Sequence, residues 1–196
     1  EHLVPERRER LQDRRQLEAG TGVTYSYDKL GERVKVTPEA GPATSYEYDQ
    51  AGNLIEIERP KEGEVSAIEE SFAYDGEGLM ASKTSGLTTG YLTWDSSASL
   101  PLLLDDGENS YIYGPGGLPV EQISSEEQPT YLHHDQLGST RLLTDEGGET
   151  SATFSYKAYG GIEGSTGTAT TALGFAGQYT DAEAGLQYLR ARFYDP

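Results

Sequence analysis

The sequence predicts an all-β chain: a curved ribbon of stacked antiparallel β-hairpins behind a short N-terminal helix. Three observations carry this. A Tyr-x-Tyr-Asp-x-x-Gly pattern recurs about every twenty residues, and self-similarity at a fixed period marks a repeat architecture. The chain holds 24 Gly and 14 Tyr in 196 residues with only 35% hydrophobic residues, which suits turn-dense β structure better than a helical bundle. Residues 1–19 break the pattern, with neither a Gly nor an aromatic ring.

The run from Pro5 to Glu18 suits a polar helix. Pro5 is tolerated in a first turn, Glu6 and Arg10 stand at ion-pair spacing, and Gly20 and Gly22 end the run. Its Arg residues alternate with acids, so it reads as a solvated helix or linker and not as a basic patch.

The hairpins follow. The first reads Tyr25-Ser26-Tyr27-Asp28-x-x-Gly31, with Val34 and Val36 on the returning strand. Rings two residues apart share one side of a strand. Asp28 opens a turn, and Gly31 suits the left-handed position that closes it with a bulge. Tyr46-Glu47-Tyr48-Asp49-x-x-Gly52 repeats these offsets with Ile55 and Ile57, and Phe72-Ala73-Tyr74-Asp75-x-x-Gly78 does so with Ala81 and Lys83. Weaker copies are Leu92-x-Trp94-Asp95, Tyr111-x-Tyr113-Gly114-x-x-Gly117, Tyr131-x-His133-His134-Asp135-x-x-Gly138 and Phe154-x-Tyr156-Lys157-x-x-Gly160, with an eighth unit starting at Phe175. Between them, residues 58–71 form an acidic insert and Leu100 to Leu104 a short buried strand. Residues 160–174, rich in Gly, Thr and Ala, read as a loop. The organisation is thus a helix or linker over 1–20, repeats over 21–130, and a distinct closing section over 131–196.

Charge narrows the function. The net charge is −18, and residues 1–19 balance five Arg against five acids, so the repeats carry all of it. Such a surface repels phosphate backbones, which argues against nucleic-acid binding. With no cysteine, disulfide and thiol chemistry are excluded. No apolar run approaches membrane-spanning length, and no signal peptide is visible.

Candidate chemistry is sparse. Each turn offers one Asp, too few oxygens for a Ca²⁺ loop, so Asp28, Asp49, Asp75, Asp95 and Asp135 read as turn formers. His133 and His134 would point to opposite faces of a strand and so not share a metal. Ser139, His134 and Asp135 have the composition of a triad without a nucleophile elbow or an oxyanion loop. Gly160-Gly161-x-x-Gly164-x-x-Gly167 lacks the Lys and the following helix of a phosphate loop. Arg190 and Arg192 alternate with Leu189, Ala191 and Phe193, as in a strand with one apolar face. A functional reading would pair these Arg with buried acids. No cofactor or metal is expected.

The closing section carries a resemblance. Tyr131-Leu132-His133-His134-Asp135-Gln136-Leu137-Gly138-Ser139-Thr140-Arg141 resembles the opening of the RHS repeat-associated core. Phe175-Ala176-Gly177-Gln178-Tyr179-x-Asp181-x-Glu183-x-Gly185-Leu186-x-Tyr188-Leu189-Arg190-Ala191-Arg192-Phe193-Tyr194-Asp195-Pro196 resembles its closing motif, and the upstream units are similar to YD repeats. The resemblance implies a ribbon of hairpins that spirals into a hollow shell, enclosing a C-terminal effector in bacterial toxins and serving adhesion in animal surface proteins. It implies an upstream shell and a downstream effector in a longer chain, with a self-cleavage segment beyond the Tyr-Asp-Pro motif, and a secreted or cell-surface location. No cleavage residue is carried over.

Size bounds the shell. At about 16 Å² of sheet per residue, residues 20–196 cover at most about 2,800 Å². A 100-residue cargo presents about 3,600 Å². The chain is therefore expected to be a closing section of a wall, truncated before the effector region. The expected function is a non-enzymatic scaffold, with self-association through sheet edges. The alternatives are a carbohydrate-binding adhesion module, with Trp94 and exposed Tyr rings stacking on glycans, and a hydrolase, which the absence of a catalytic constellation disfavours.

Overall fold

The computed structural model of the chain describes residues 14–18, 21–60 and 67–196. The chain forms two compact units, Glu1–Ser71 and Phe72–Pro196. The first holds β1 (Arg14–Glu18), β2 (Thr21–Tyr27), β3 (Arg33–Pro38), β4 (Thr44–Tyr48), β5 (Leu54–Pro60) and most of β6 (Ala67–Tyr74), which runs on into the second. These strands pair antiparallel in chain order.

The repeat motif builds one turn again and again. The Asp28 amide donates to the Glu32 carbonyl at 3.0 Å, and the Gly31 amide returns to the Asp28 carbonyl at 3.4 Å. The carboxylate of Asp28 accepts the Leu30 and Glu32 amides, both at 2.9 Å. Gly31 has φ +88°, the left-handed region that a Cβ disfavours. Asp49 with Gly52 and Asp75 with Gly78 reproduce every one of these bonds.

A bulge beside each of the first two turns sets which residues face one another. Tyr46 opposes Ile57, but Tyr48 opposes Leu54. The buried pair of the second returning strand is therefore Leu54 and Ile57, not the Ile55 and Ile57 that simple alternation predicts. In the first hairpin Tyr25 opposes Val36 and Tyr27 opposes Arg33. The Arg33 guanidinium lies 5.9 Å from the Tyr25 ring and 4.8 Å from the Tyr46 ring, and the Tyr48 hydroxyl donates to the Arg33 carbonyl at 3.2 Å. An arginine thus ties neighbouring repeats together through cation–π contact.

The expected N-terminal helix is corrected where it is described. Arg14–Glu18 is a strand, paired with β2 from Arg14 opposite Tyr25 to Glu18 opposite Thr21. A short polar helix is marginal alone, whereas the open edge of β2 offers a row of backbone partners. The earlier part of that expectation, residues 1–13, lies outside the described residues.

The second unit contains β7 (Met80–Ser85), β8 (Thr88–Tyr91), β9 (Thr93–Asp95), β10 (Leu102–Asp105), β11 (Asn109–Tyr113), β12 (Pro119–Ser124), β13 (Pro129–His134), β14 (Thr140–Thr144), β15 (Thr150–Tyr156) and β16 (Ile162–Gly167). A 3₁₀ turn at Phe175–Gly177 precedes β17 (Tyr179–Asp181), β18 (Leu186–Tyr188) and β19 (Phe193–Tyr194). β7 and β8 form a hairpin, β9 to β16 pair in chain order, and β17 to β19 form a separate three-stranded sheet.

Here the turn survives loss of its Asp. Asp135 with Gly138 keeps the full form, and Asp145 with Gly148 keeps both backbone bonds and the carboxylate bond to the Glu149 amide. At the tip after Tyr113, Gly114 and Gly117 make the same backbone bonds, and Lys157 with Gly160 makes them after Tyr156. The closing glycine is the constant part, at φ +73° in Gly117 and +97° in Gly160. Asp95 departs: its carboxylate accepts from the amide and hydroxyl of Ser97, with no glycine three residues on. Two sequence expectations are corrected. Residues 162–167 are strand β16, because Tyr156 and its neighbours offer a free edge that Gly and Thr can join. Phe175 opens a 3₁₀ turn with Ala176 at φ 52°, not an eighth hairpin, since the Gln178 amide bonds the Phe175 carbonyl.

Two glycines separate turn geometry from packing. A Cβ on Gly31 meets nothing within 4 Å, while one on Gly138 falls 2.9 Å from Leu118 Cδ2, and both have φ above +80°. Gly31→Ala is expected to cost about 1–2 kcal/mol, the penalty of the left-handed region alone. Gly138→Ala should cost about 1–3 kcal/mol more through overpacking. Paired urea denaturation curves check the ordering. Among the described residues no helix is long and apolar enough to cross a membrane, which says nothing of strands.

Candidate functional site

The closing motif converges on Tyr188, at the end of β18. The side chain is almost fully buried. Its ring packs tilted against Phe193 at 5.2 Å and edge-on to Trp94 at 5.8 Å between centroids, with Tyr74 at 6.5 Å. Its hydroxyl accepts from the Met80 amide at 2.9 Å and donates to the Gly78 carbonyl at 3.4 Å. The third hairpin turn is thus read by a side chain more than a hundred residues away. Trp94 completes the junction by donating its indole N–H to the Met80 carbonyl at 2.7 Å. Engaged on both face and edge, Trp94 is not the open sugar-stacking platform expected of an adhesion module.

Arg190 clamps this cluster to the next segment. Its Nε donates to the Pro101 carbonyl at 2.9 Å, a terminal nitrogen donates to Gln178 Oε1, and its guanidinium lies 5.9 Å from the Trp94 ring. The backbone takes φ 61° to place it, a strained value for a non-glycine residue. The strand predicted through Arg190 and Arg192 is therefore corrected. The Leu189 amide bonds the Arg192 carbonyl at 2.8 Å, a tight turn that leaves Arg192 exposed and Arg190 turned inward.

Two further anchors hold the motif. Asp181 is fully buried and its carboxylate lies 3.1 Å from Lys83 Nζ, with Glu183 at 4.0 Å from the same nitrogen. Its other oxygen accepts the Glu183 and Ala184 amides at 3.0 and 2.9 Å, and the Gly185 amide reaches its carbonyl at 2.8 Å. At the other end, the buried Ser139 hydroxyl accepts the Ala176 amide at 3.0 Å, and Thr140 Oγ1 donates to the Leu173 carbonyl at 2.6 Å. Gly138 and Gly177 lie against each other, where a Cβ on Gly177 would stand 3.3 Å from the Gly138 carbonyl oxygen. Arg141 lies 3.9 Å from Asp135 and 5.7 Å from the Tyr156 ring, and the Tyr194 hydroxyl donates to the Tyr159 carbonyl at 2.8 Å. Asp195 and Pro196 are exposed.

The structure brings Gly138, Ser139, Thr140, Tyr188 and Arg190 into one bonded framework and leaves Arg192 outside it. The Ser139 hydroxyl serves the distant Ala176 amide, as a packing group does, and the Asp135 carboxylate serves the local Leu137 and Ser139 amides, as a turn group does. His133 Nε2 lies 3.0 Å from Thr144 Oγ1, and burial holds His134 below the ordinary imidazole range. Sequence reasoning missed Lys83, Gln178 and Arg33 as anchors. Lys83 was legible only as a polar residue in a weak returning strand, because its acid partner lies far along the chain.

The buried phenols give a pH signature. Burial pushes Tyr113, Tyr156 and Tyr188 up to about 12, and raises Tyr111 and Tyr179 further, with Asp106 adding to Tyr111 and Asp181 to Tyr179. A phenol titrates near 10 in the unfolded chain, so the folded chain holds its protons longer. Their contribution to stability is full below about pH 10 and is lost as pH rises toward about 12. Thermal melts from pH 8 to 12 should therefore fall only above about pH 10. A steady decline from pH 8 would contradict the assignment.

Known proteins share parts of this sequence and its fold. The RHS Repeat family matches residues 27–64. The double-stranded DNA deaminase toxin A of Burkholderia cenocepacia (strain H111) is 30% identical, over 66% of this chain and 11% of that protein. The tRNA3(Ser)-specific nuclease WapA of Bacillus spizizenii is 31% identical, over 64% of this chain and 6% of its own length. The chain thus spans about a tenth or less of these relatives. The crystal structure of TcdB2-TccC3 superposes with a TM-score of 0.59 at 16% identity, covering 90% of this chain and 12% of that one, which shows a shared fold. Repeated turns, a long closing motif and toxin relatives point the same way: the chain carries an RHS repeat over residues 27–64 and is similar to RHS-type toxin proteins.

Proposed function

We propose that this chain is a non-enzymatic wall section of a toxin-associated RHS scaffold, which encloses or delivers a C-terminal effector within a longer, secreted polypeptide. The observation that carries the reading is the β9–β16 ladder, laid down hairpin by hairpin, with a closing motif that fastens β7 and its preceding turn through Tyr188 and Asp181 and the segment before β10 through Arg190. The Tyr188 hydroxyl, the Arg190 guanidinium, and the Ser139 and Thr140 hydroxyls each bond the backbone of another segment. The matched section makes up 11% and 6% of the two relatives, named for a deaminase and a nuclease, so their named activities can reside outside it.

Protease protection in the complete polypeptide tests this. The downstream region should resist digestion while the wall is folded and be cut once the wall is unfolded by mild denaturant. A downstream region digested at the rate of the isolated domain would remove the enclosure reading. Turnover by the 196-residue chain on ester, peptide, glycoside or nucleic-acid substrates would remove the non-enzymatic one.

A further inference from the structure

The edges of the second unit are not alike. β8 is covered: a Cβ on Gly90 would stand 3.3 Å from the Asp106 carbonyl oxygen, and Gly107 lies equally close to Gly90. β17 is covered by the Thr180 amide bonding Ala172 at 2.7 Å and by the bridge from Leu173 to Tyr179. β9 has three residues and β19 two, too short to template pairing. β16 ends the ladder with six residues, Ile162 to Gly167, every one exposed. It carries none of the usual edge protection: no Pro, no Lys or Arg, and a single charge at Glu163.

Its free backbone groups can be placed. The Thr168 amide donates to the Ser151 carbonyl at 3.1 Å, and the same register sets Thr166 opposite Thr153. The Thr166 amide therefore faces β15, and the Ser165 amide, one residue away, faces outward. We infer that the β16 edge pairs antiparallel with the β16 edge of a second copy of this chain, joining two ladders about a two-fold axis. The strand is self-complementary in that arrangement. With the axis through the Ser165 pair, whose outward amides and carbonyls bond each other, Gly164 opposes Thr166 of the second copy and Glu163 opposes Gly167, so the two carboxylates are not directly opposed.

The contact is weak by size. A six-residue edge is about 20 Å long and falls short of the roughly 1,000 Å² that stable interfaces bury. A dissociation constant on the order of 100 μM or weaker follows. Each copy carries a net charge of −18, so association is opposed at low salt. It should tighten as the Debye length shrinks from ~30 Å at 0.01 M to ~3 Å at 1 M.

Sedimentation velocity of the 196-residue chain over a wide concentration range, at low and high salt, tests this. A monomer–dimer equilibrium strengthened by salt is expected. Ser165→Pro removes an outward amide without a ladder bond and should weaken association at least tenfold, whereas Ser165→Ala should leave it unchanged. Deuterium exchange covers a proline variant that fails to fold: the Ser165 amide of the unaltered chain should slow as concentration rises. A monomer at all concentrations would overturn the inference. So would higher oligomers that ignore Ser165→Pro in a folded variant, or a Ser165 amide whose exchange is independent of concentration.

Discussion

Replacing Tyr188 with alanine is expected to destabilise the second unit by about 3–5 kcal/mol, the range for deleting a large buried ring. The ring fills the space between Trp94, Phe193 and Tyr74, and almost none of it reaches solvent. Its removal leaves a void that the short strands of β17–β19 cannot fill, and it strands the Met80 amide. Tyr188→Phe separates the two contributions. It keeps the ring but leaves the Met80 amide without the hydroxyl, which should cost about 1–3 kcal/mol. Equilibrium urea denaturation measures both. Hydrogen exchange locates the loss: the Met80 amide should open in Tyr188→Phe while the β13–β15 ladder stays protected. Equal costs for the two variants would mean that the hydroxyl carries the anchor and the aromatic packing little of it.

That anchor shows where sequence reading stops. The hairpins were legible because their determinants are local: the Asp carboxylate bonds amides two and four residues on, and the glycine lies within the same turn. The turns after Tyr113 and Tyr156 kept their backbone although the Asp is Gly114 or Lys157, since the left-handed glycine supplies the costly conformation. Bulges were not legible, so Leu54 replaced Ile55 as the partner of the ring face. The strand at 162–167 was hidden because Gly, Ser and Thr have little β preference and joined an edge already built. The site was legible as a motif but not as an arrangement. Its resemblance marked Tyr188 and Arg190, yet nothing local says that one reaches Gly78 and the other Pro101, or that Arg190 lies inward and Arg192 outward. Such partners are fixed by tertiary closure.

The second large effect belongs to Asp181. Asp181→Ala should cost about 3–5 kcal/mol, the range for removing one member of a buried ion pair. Lys83 is largely shielded and, of its two ion pairs among the described residues, would keep the more distant one to Glu183. The same change frees the Glu183 and Ala184 amides, which the Asp181 carboxylate caps in the turn joining β17 to β18. Asp181→Asn tests which of these matters. An amide oxygen can still cap the turn, so Asn should recover part of the loss if capping matters and little if the charge does. Lys83→Met supplies the other corner, covering the site with an apolar side chain of similar length. A double-mutant cycle of Lys83→Met with Asp181→Asn should give a coupling of about 1–3 kcal/mol, since the uncompensated charge left by either single change is absent from the double. Additive single effects would assign the stability of this corner to the capped turn, leaving the lysine as a bystander 3.1 Å away.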